Sequence, residues 1–156
     1  MLVIQAKNVN DAYNSALWAI KLEGVEENTR NGPARVFPRP VTTHYRKPLE
    51  NMLFDNARDA NPFFHVMESI WMLAGSNALE VPAWYAANIR MFSDDGLTLN
   101  GAYGHRWRNY FYVDQLKGVI NSLKNNGETR RAVLAMWDPS ADLQSSSLDL
   151  PCNTHI

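Results

Sequence analysis

The sequence has almost no cysteine: Cys152 is the single thiol in 156 residues. One thiol excludes an intrachain disulfide framework and a zinc site built from thiolates. Histidine is equally thin, and His44, His65, His105 and His155 lie scattered without metal-ligand spacing, so no metal is expected. A surplus of one charge is missing too. Fifteen basic and sixteen acidic side chains leave a net charge of -1, without the broad basic face of a nucleic-acid binder. An anionic ligand must then be met by a few local arginines. No apolar run reaches the length of a membrane span, and the opening "MLVIQAKNVND" is too short and too polar for a signal peptide. No repeat, low-complexity tract or linker divides the chain. The expectation is a single domain over residues 1–156 in a reducing cytoplasm, with no nucleic-acid or membrane partner.

Helix and strand periodicities are both present, and they intermix. "NDAYNSALWAIKLEG" reads as a helix capped by Asn10 or Asp11, with Tyr13, Ala16, Leu17 and Ile20 on one face and Gly24 as its stop. The stretch "VEENTRNGPARVFPRPVTTHYRKP" is rich in proline and arginine and leaves room only for short strands. "DANPFFHVMESIWMLAGSN" is the strongest helix signal: Asn61 caps, Pro62 opens and Gly75 ends it. Phe63, Met67, Ile70, Trp71 and Ala74 form one stripe. Phe64, Val66 and Leu73 make the helix apolar nearly all round, which predicts burial. In "VDQLKGVINSLKNNG" Asp114 caps a third helix whose core face is Leu116, Val119, Ile120 and Leu123. "RRAVLAMWDPS" reads as a buried strand ended by an Asp-Pro turn. "SLDLPCNTHI" begins another, with Leu148, Leu150, Cys152, Thr154 and Ile156 to one side. Without a strict βαβα rhythm, the fold class is α+β. A strand at residue 156 with no closing turn or helix is expected to be part of a domain cut short.

Four features can carry chemistry, and each has a plainer reading beside it. Glu68 shares a helix stripe with Phe64 and Trp71, so it should lie largely out of water, where the protonated carboxyl is favoured and proton transfer is within reach. A glutamate on one wet sliver of the helix, or bonded to a buried backbone group, fits the same pattern. Cys152 is either a small core hydrophobe or, with Pro151 opening an edge or bulge before it, a thiol presented to a cavity. Arg30 lies in the turn-forming "TRNGP", and Arg130 and Arg131 lie in "ETRRAV" at a strand entrance, facing opposite ways. Their planar guanidinium groups suit a phosphate monoester, with ordinary solvated charge as the alternative. In "NGAYGHRWR" two glycines bracket Tyr103, which either brings backbone and an aromatic hydroxyl close to a ligand or packs as a core ring.

In this order, the pieces resemble the thymidylate synthases and their relatives, the deoxypyrimidine nucleotide hydroxymethylases, over most of the chain from the Arg30 loop to Cys152. "TRNGP" resembles the family's phosphate-holding arginine loop. "FFHVMESIWMLAGSN" is similar to its glutamate helix, often H-E-L-x-W-F-L-x-G. "NGAYGHRWR" is similar to its tyrosine segment, usually G-x-x-Y-G-x-Q-W-R, and the run from "DQLKGVINSLKNNGETRRAVLAMWDPS" to "LDLPCN" resembles its long signature. The resemblance implies an α+β fold in which a mixed sheet packs with helices and forms a dimer. It implies that Cys152 adds to C6 of dUMP or dCMP, that Glu68 and Tyr103 organise water and proton transfer, and that Arg30 grips the phosphate of its own subunit. Arg130 and Arg131 would reach across a homodimer to the partner's phosphate. Methylenetetrahydrofolate would supply the carbon, with dTMP the expected product, a hydroxymethylated nucleotide the alternative, and a bacterial or phage-infected host cytoplasm the setting. A catalytically silent, nucleotide-binding or structural piece is the third expectation.

Three positions depart from the family pattern. Asn153 stands where a histidine usually follows the cysteine, and Asp149 stands where an apolar residue usually faces the folate. The folate-side tryptophan pair is missing, with Ile89 and Phe92 the nearest matches and Trp84 out of register. Thiol addition survives these changes, but they bear on the fate of the transferred carbon. The family's base-reading and ribose-binding residues follow the cysteine and are not in this sequence.

Overall fold

The computed structural model describes residues 1–29 and 32–156, which fall into two compact units, Met1–Ala60 and Asn61–Ile156. In the first unit, β1 (Leu2–Ala6) pairs in parallel with β4 (Val41–Tyr45), in a register that sets Leu2 opposite Val41 and Ala6 opposite Tyr45. β2 (Val25–Thr29) and β3 (Gly32–Val36) form an antiparallel pair, with Thr29 opposite Gly32 at φ +101°. α1 (Val9–Glu23) starts two residues earlier than the pattern indicated, because the Asn8 side chain accepts from the amides of Asn10 and Asp11. Its covered face runs through Ala12, Tyr13, Ala16 and Ile20, while Leu17 turns outward. Gly24 does end the helix, in extended backbone. Glycine is needed there for space, since a Cβ would come within 2.4 Å of the Ile20 carbonyl.

The second unit is mainly helical. α2 (Pro62–Leu73) opens on Asn61, whose side chain accepts from Phe63 N and Phe64 N, and is followed by Gly75 at φ +73°. Then come α3 (Glu80–Tyr85), a 3-10 segment at Ala87–Phe92, and α4 (Tyr103–His105), which runs on into a π-wound turn, Arg106–Tyr110. α5 (Gln115–Asn125) is capped by Asp114, which accepts from Lys117 N, and α6 (Pro139–Asp142) is a single turn. One core cluster joins Trp71, Leu79, Ala83, Leu99 and Ala102; a second joins Trp107, Leu134 and Met136. Met72 packs against both. The architecture is α+β.

Two expectations about this unit need correction. α2 is not buried all round. Phe64, Met67, Glu68, Trp71 and Met72 lie on its covered side, while Phe63, Val66, Ile70 and Leu73 are all more than half exposed. The two long strands expected after Arg130 and Ser147 shrink to a short antiparallel contact. Leu134 and Ile156 exchange both backbone bonds at 2.9 and 3.0 Å, Met136 N donates to Thr154 O, and Ala135 bridges His155. Pro151 has no amide to extend this ladder, and Asp149 binds elsewhere. Cys152, Thr154 and Ile156 are accordingly exposed, whereas Pro151 is buried.

Candidate active site

The tyrosine segment is fixed to the glutamate helix by backbone contact. A Cβ at Gly104 would stand 1.9 Å from the Met72 carbonyl oxygen, so only glycine lets α4 approach α2 this closely. Arg108 Nη1 donates to Leu73 O and Asn109 Nδ2 donates to Gly75 O at 2.7 Å. These bonds satisfy carbonyls that the end of α2 leaves without helical partners. Tyr103 opens α4 and is half-buried against the Trp107 cluster.

Its hydroxyl meets Cys152. Burial first, and then a hydrogen bond with the Cys152 side chain, raise the Tyr103 phenol above its ordinary value. An aromatic hydroxyl thus lies beside the single thiol of the chain. Asn153 Nδ2 also donates to the Tyr103 oxygen, at 3.4 Å. The thiol itself is exposed and open to a substrate.

Glu68 lies on the covered side of α2, four residues before Met72, so it shares a face with the backbone on which Gly104 packs. It is half-buried rather than largely out of water. Arg130 and Arg131 are exposed and line one concavity of about 470 Å³ with Ser122, Asn125, Asn126, Glu128 and Thr129. Neither Glu68, Tyr103 nor Cys152 lines it. Arg30 lies outside the described residues.

The family model described as thymidylate synthase matches residues 11–156. The chain belongs to the thymidylate synthase family. Among relatives of this family, the chain is 53% identical over 153 residues to the deoxyuridylate hydroxymethyltransferase of Pseudomonas phage M6, covering 98% of this chain and 44% of that protein. It is 36% identical over 126 residues to the deoxyuridylate hydroxymethyltransferase of Bacillus phage SP01, covering 74% of this chain and 33% of that one. It is 26% identical over 163 residues to a putative thymidylate synthase of Methanopyrus kandleri, covering 99% of this chain and 64% of that protein. The chain thus spans less than half the length of the two phage relatives.

Sequence reasoning passed over the most buried charged pair. Arg106 stands where the thymidylate synthase pattern has glutamine, and this was the visible sign of it. Its guanidinium binds Asp142 through two bonds of 2.9 Å, and both side chains are almost wholly out of water. Nε donates to Asn100 O at 3.1 Å, Nη1 to Met136 O at 3.2 Å, and the group lies over the Tyr110 ring at 4.0 Å. Three neighbours of the site are thereby tied together: the turn before Tyr103, the Met136 segment and α6.

Proposed function

We propose that this chain carries the nucleophile-bearing part of a folate-dependent enzyme that transfers a one-carbon unit to C5 of dUMP, and that the product is hydroxymethylated. The Tyr103–Cys152 contact carries the reading. As a thiolate, Cys152 adds to C6 of the pyrimidine, and the ring electrons move to C5, which becomes an enolate-like nucleophile. Methylenetetrahydrofolate, a co-substrate consumed in the reaction, supplies the electrophilic methylene to which C5 bonds; loss of the C5 proton then breaks the methylene–nitrogen bond, releasing tetrahydrofolate and leaving an exocyclic methylene on C5. The residues present fit such ligands, because the thiol is exposed and lies beside the Tyr103 hydroxyl, which also accepts from Asn153. Glu68, half out of water beside the tyrosine segment, orders the water that removes the C5 proton. Cys152 then leaves C6 with its bonding electrons and is regenerated.

The phosphate falls to the arginines. Arg30 acts within its own subunit, while Arg130 and Arg131 serve the site of a second copy in a homodimer. Their concavity, separate from the residues around Cys152, supports a role away from their own thiol. For the last step, Asp149 and Asn153 make the surroundings of the thiol more polar than the family pattern. This favours water attack on the exocyclic methylene, and the names of the phage relatives support it. A methyl product from hydride transfer is the second reading, favoured by the thymidylate synthase name of a more distant relative.

The test is tritium release from C5-labelled dUMP with methylenetetrahydrofolate, using the natural protein that carries this sequence, with the product identified by mass. Release with a hydroxymethylated product, lost in Cys152→Ala, is expected. A methylated product would select the second reading. No release, or release that survives Cys152→Ala, would refute the assignment.

A further inference from the structure

Asp149 and Asn153, two positions that depart from the family pattern, are the residues through which the cysteine segment binds the tyrosine segment. Asp149 Oδ2 accepts from the Gly101 amide at 2.7 Å, and the Asp149 carbonyl accepts from Asn100 Nδ2 at 3.2 Å. The next peptide is pressed onto the same turn. A Cβ at Gly101 would lie 2.8 Å from the Leu150 carbonyl carbon. At the far end Asn153 Nδ2 reaches the Tyr103 hydroxyl. Between these two fastenings lie buried Pro151 and exposed Cys152. Asp149 is itself held from behind: Ser147 Oγ donates to the Asp149 carbonyl at 3.1 Å, and Leu148 N donates to Asp94 Oδ1 at 3.1 Å.

We propose that Asp149 is a positioning residue for Cys152: by accepting from the Gly101 amide, its carboxylate seats the Pro151–Cys152 peptide so that the thiol meets the Tyr103 hydroxyl. This rests on the reading of Cys152 as the nucleophile. A leucine at this position, apolar as in the family pattern, would leave the Gly101 amide without this acceptor. It would also leave the segment anchored only by its backbone and by the longer Asn153 bond. The carboxylate does not touch the substrate in this role. Burial raises its pKa, with the nearby Asp94 charge adding to the rise, and the Gly101 amide and the Arg106 charge act against it. The bond to Gly101 is made through one acceptor oxygen, and asparagine supplies one in the same place.

The test compares Asp149→Asn and Asp149→Leu in the natural protein through the pH profile of Cys152 alkylation by iodoacetamide and the kinetics of tritium release. In Asp149→Leu the alkylation profile should change, as the thiol is no longer held beside the Tyr103 hydroxyl. Its kcat should fall about 10- to 100-fold with KM for dUMP little changed, the cost of misplacing a reacting group by an ångström or less. Asp149→Asn should restore most of both. A folded Asp149→Leu protein with an unchanged alkylation profile, or an Asp149→Asn protein as impaired as Asp149→Leu, overturns the proposal. Should the leucine variant not fold, the Gly101 amide resonance of the unaltered protein decides, since it must shift as Asp149 titrates. An unresponsive resonance overturns the proposal. Turnover that persists in Cys152→Ala would sink the catalytic reading alone, because the alkylation comparison still reports how the thiol is held.

Discussion

Arg106 and Asp142 hold each other where neither touches water, and such a pair is costly unless nearly every donor and acceptor is used. Here most are. Besides the two bonds of the pair, Arg106 donates to the carbonyls of Asn100 and Met136, and Asp142 Oδ2 also accepts from Asp138 N at 2.8 Å. Removing one partner leaves the other charge buried and unpaired. Arg106→Met should therefore destabilise the protein by about 3–5 kcal/mol in urea unfolding. The double variant Arg106→Met/Asp142→Leu should lose clearly less than the sum of its two single variants, since it strands neither charge. Additive losses would show that the pair is not coupled. Neither residue could be found from periodicity, which sorts apolar from polar positions and marks a buried arginine as surface.

Helix α2 and the tyrosine segment show what was legible at the scale of elements. The Asn61 cap, Pro62 at the first turn and Gly75 past the end were all readable, because caps and stops are local chemistry. Which face of α2 is covered was not. That depends on a contact made over 30 residues later, where Gly104 admits the Met72 backbone. The sequence pattern reads α2 as buried nearly all round, Glu68 included, yet Phe63, Val66, Ile70 and Leu73 are exposed and only the side that carries the carboxylate is covered. Gly104→Ala tests this joint directly. Its methyl would meet backbone rather than a flexible side-chain tip, so α4 must move. A loss of about 1–3 kcal/mol or more is expected, and tritium release should fall further than stability alone explains, as Tyr103 shifts with α4. Unchanged stability and turnover in this variant would mean that α2 and α4 are not so closely joined. The strands expected around Cys152 failed for a related reason. Alternation set the spacing, but Pro151 and the Asp149–Gly101 bond bend the segment onto the tyrosine turn.

In the molecule as a whole, the order of motifs carried the family, the fold class and the candidate site residues, while the contacts among those residues needed the structure. Tyr103 and Cys152 are 49 positions apart in the sequence, and only the structure brings hydroxyl and thiol together. Arg130 and Arg131, which the resemblance assigns to the phosphate of a partner subunit, line a concavity that none of Glu68, Tyr103 and Cys152 enters. The claim on which all else depends is that Cys152 attacks the pyrimidine. It is tested most directly by incubating the natural protein with 5-fluoro-dUMP and methylenetetrahydrofolate, then digesting it and mapping the modified peptide by mass. A C5 fluorine cannot leave as a proton does, so an adduct at C6 should accumulate. The nucleotide is predicted on the peptide that contains Cys152, and nowhere in Cys152→Ala. A protein that binds the nucleotide but forms no adduct, or forms one on another residue, would contradict the account.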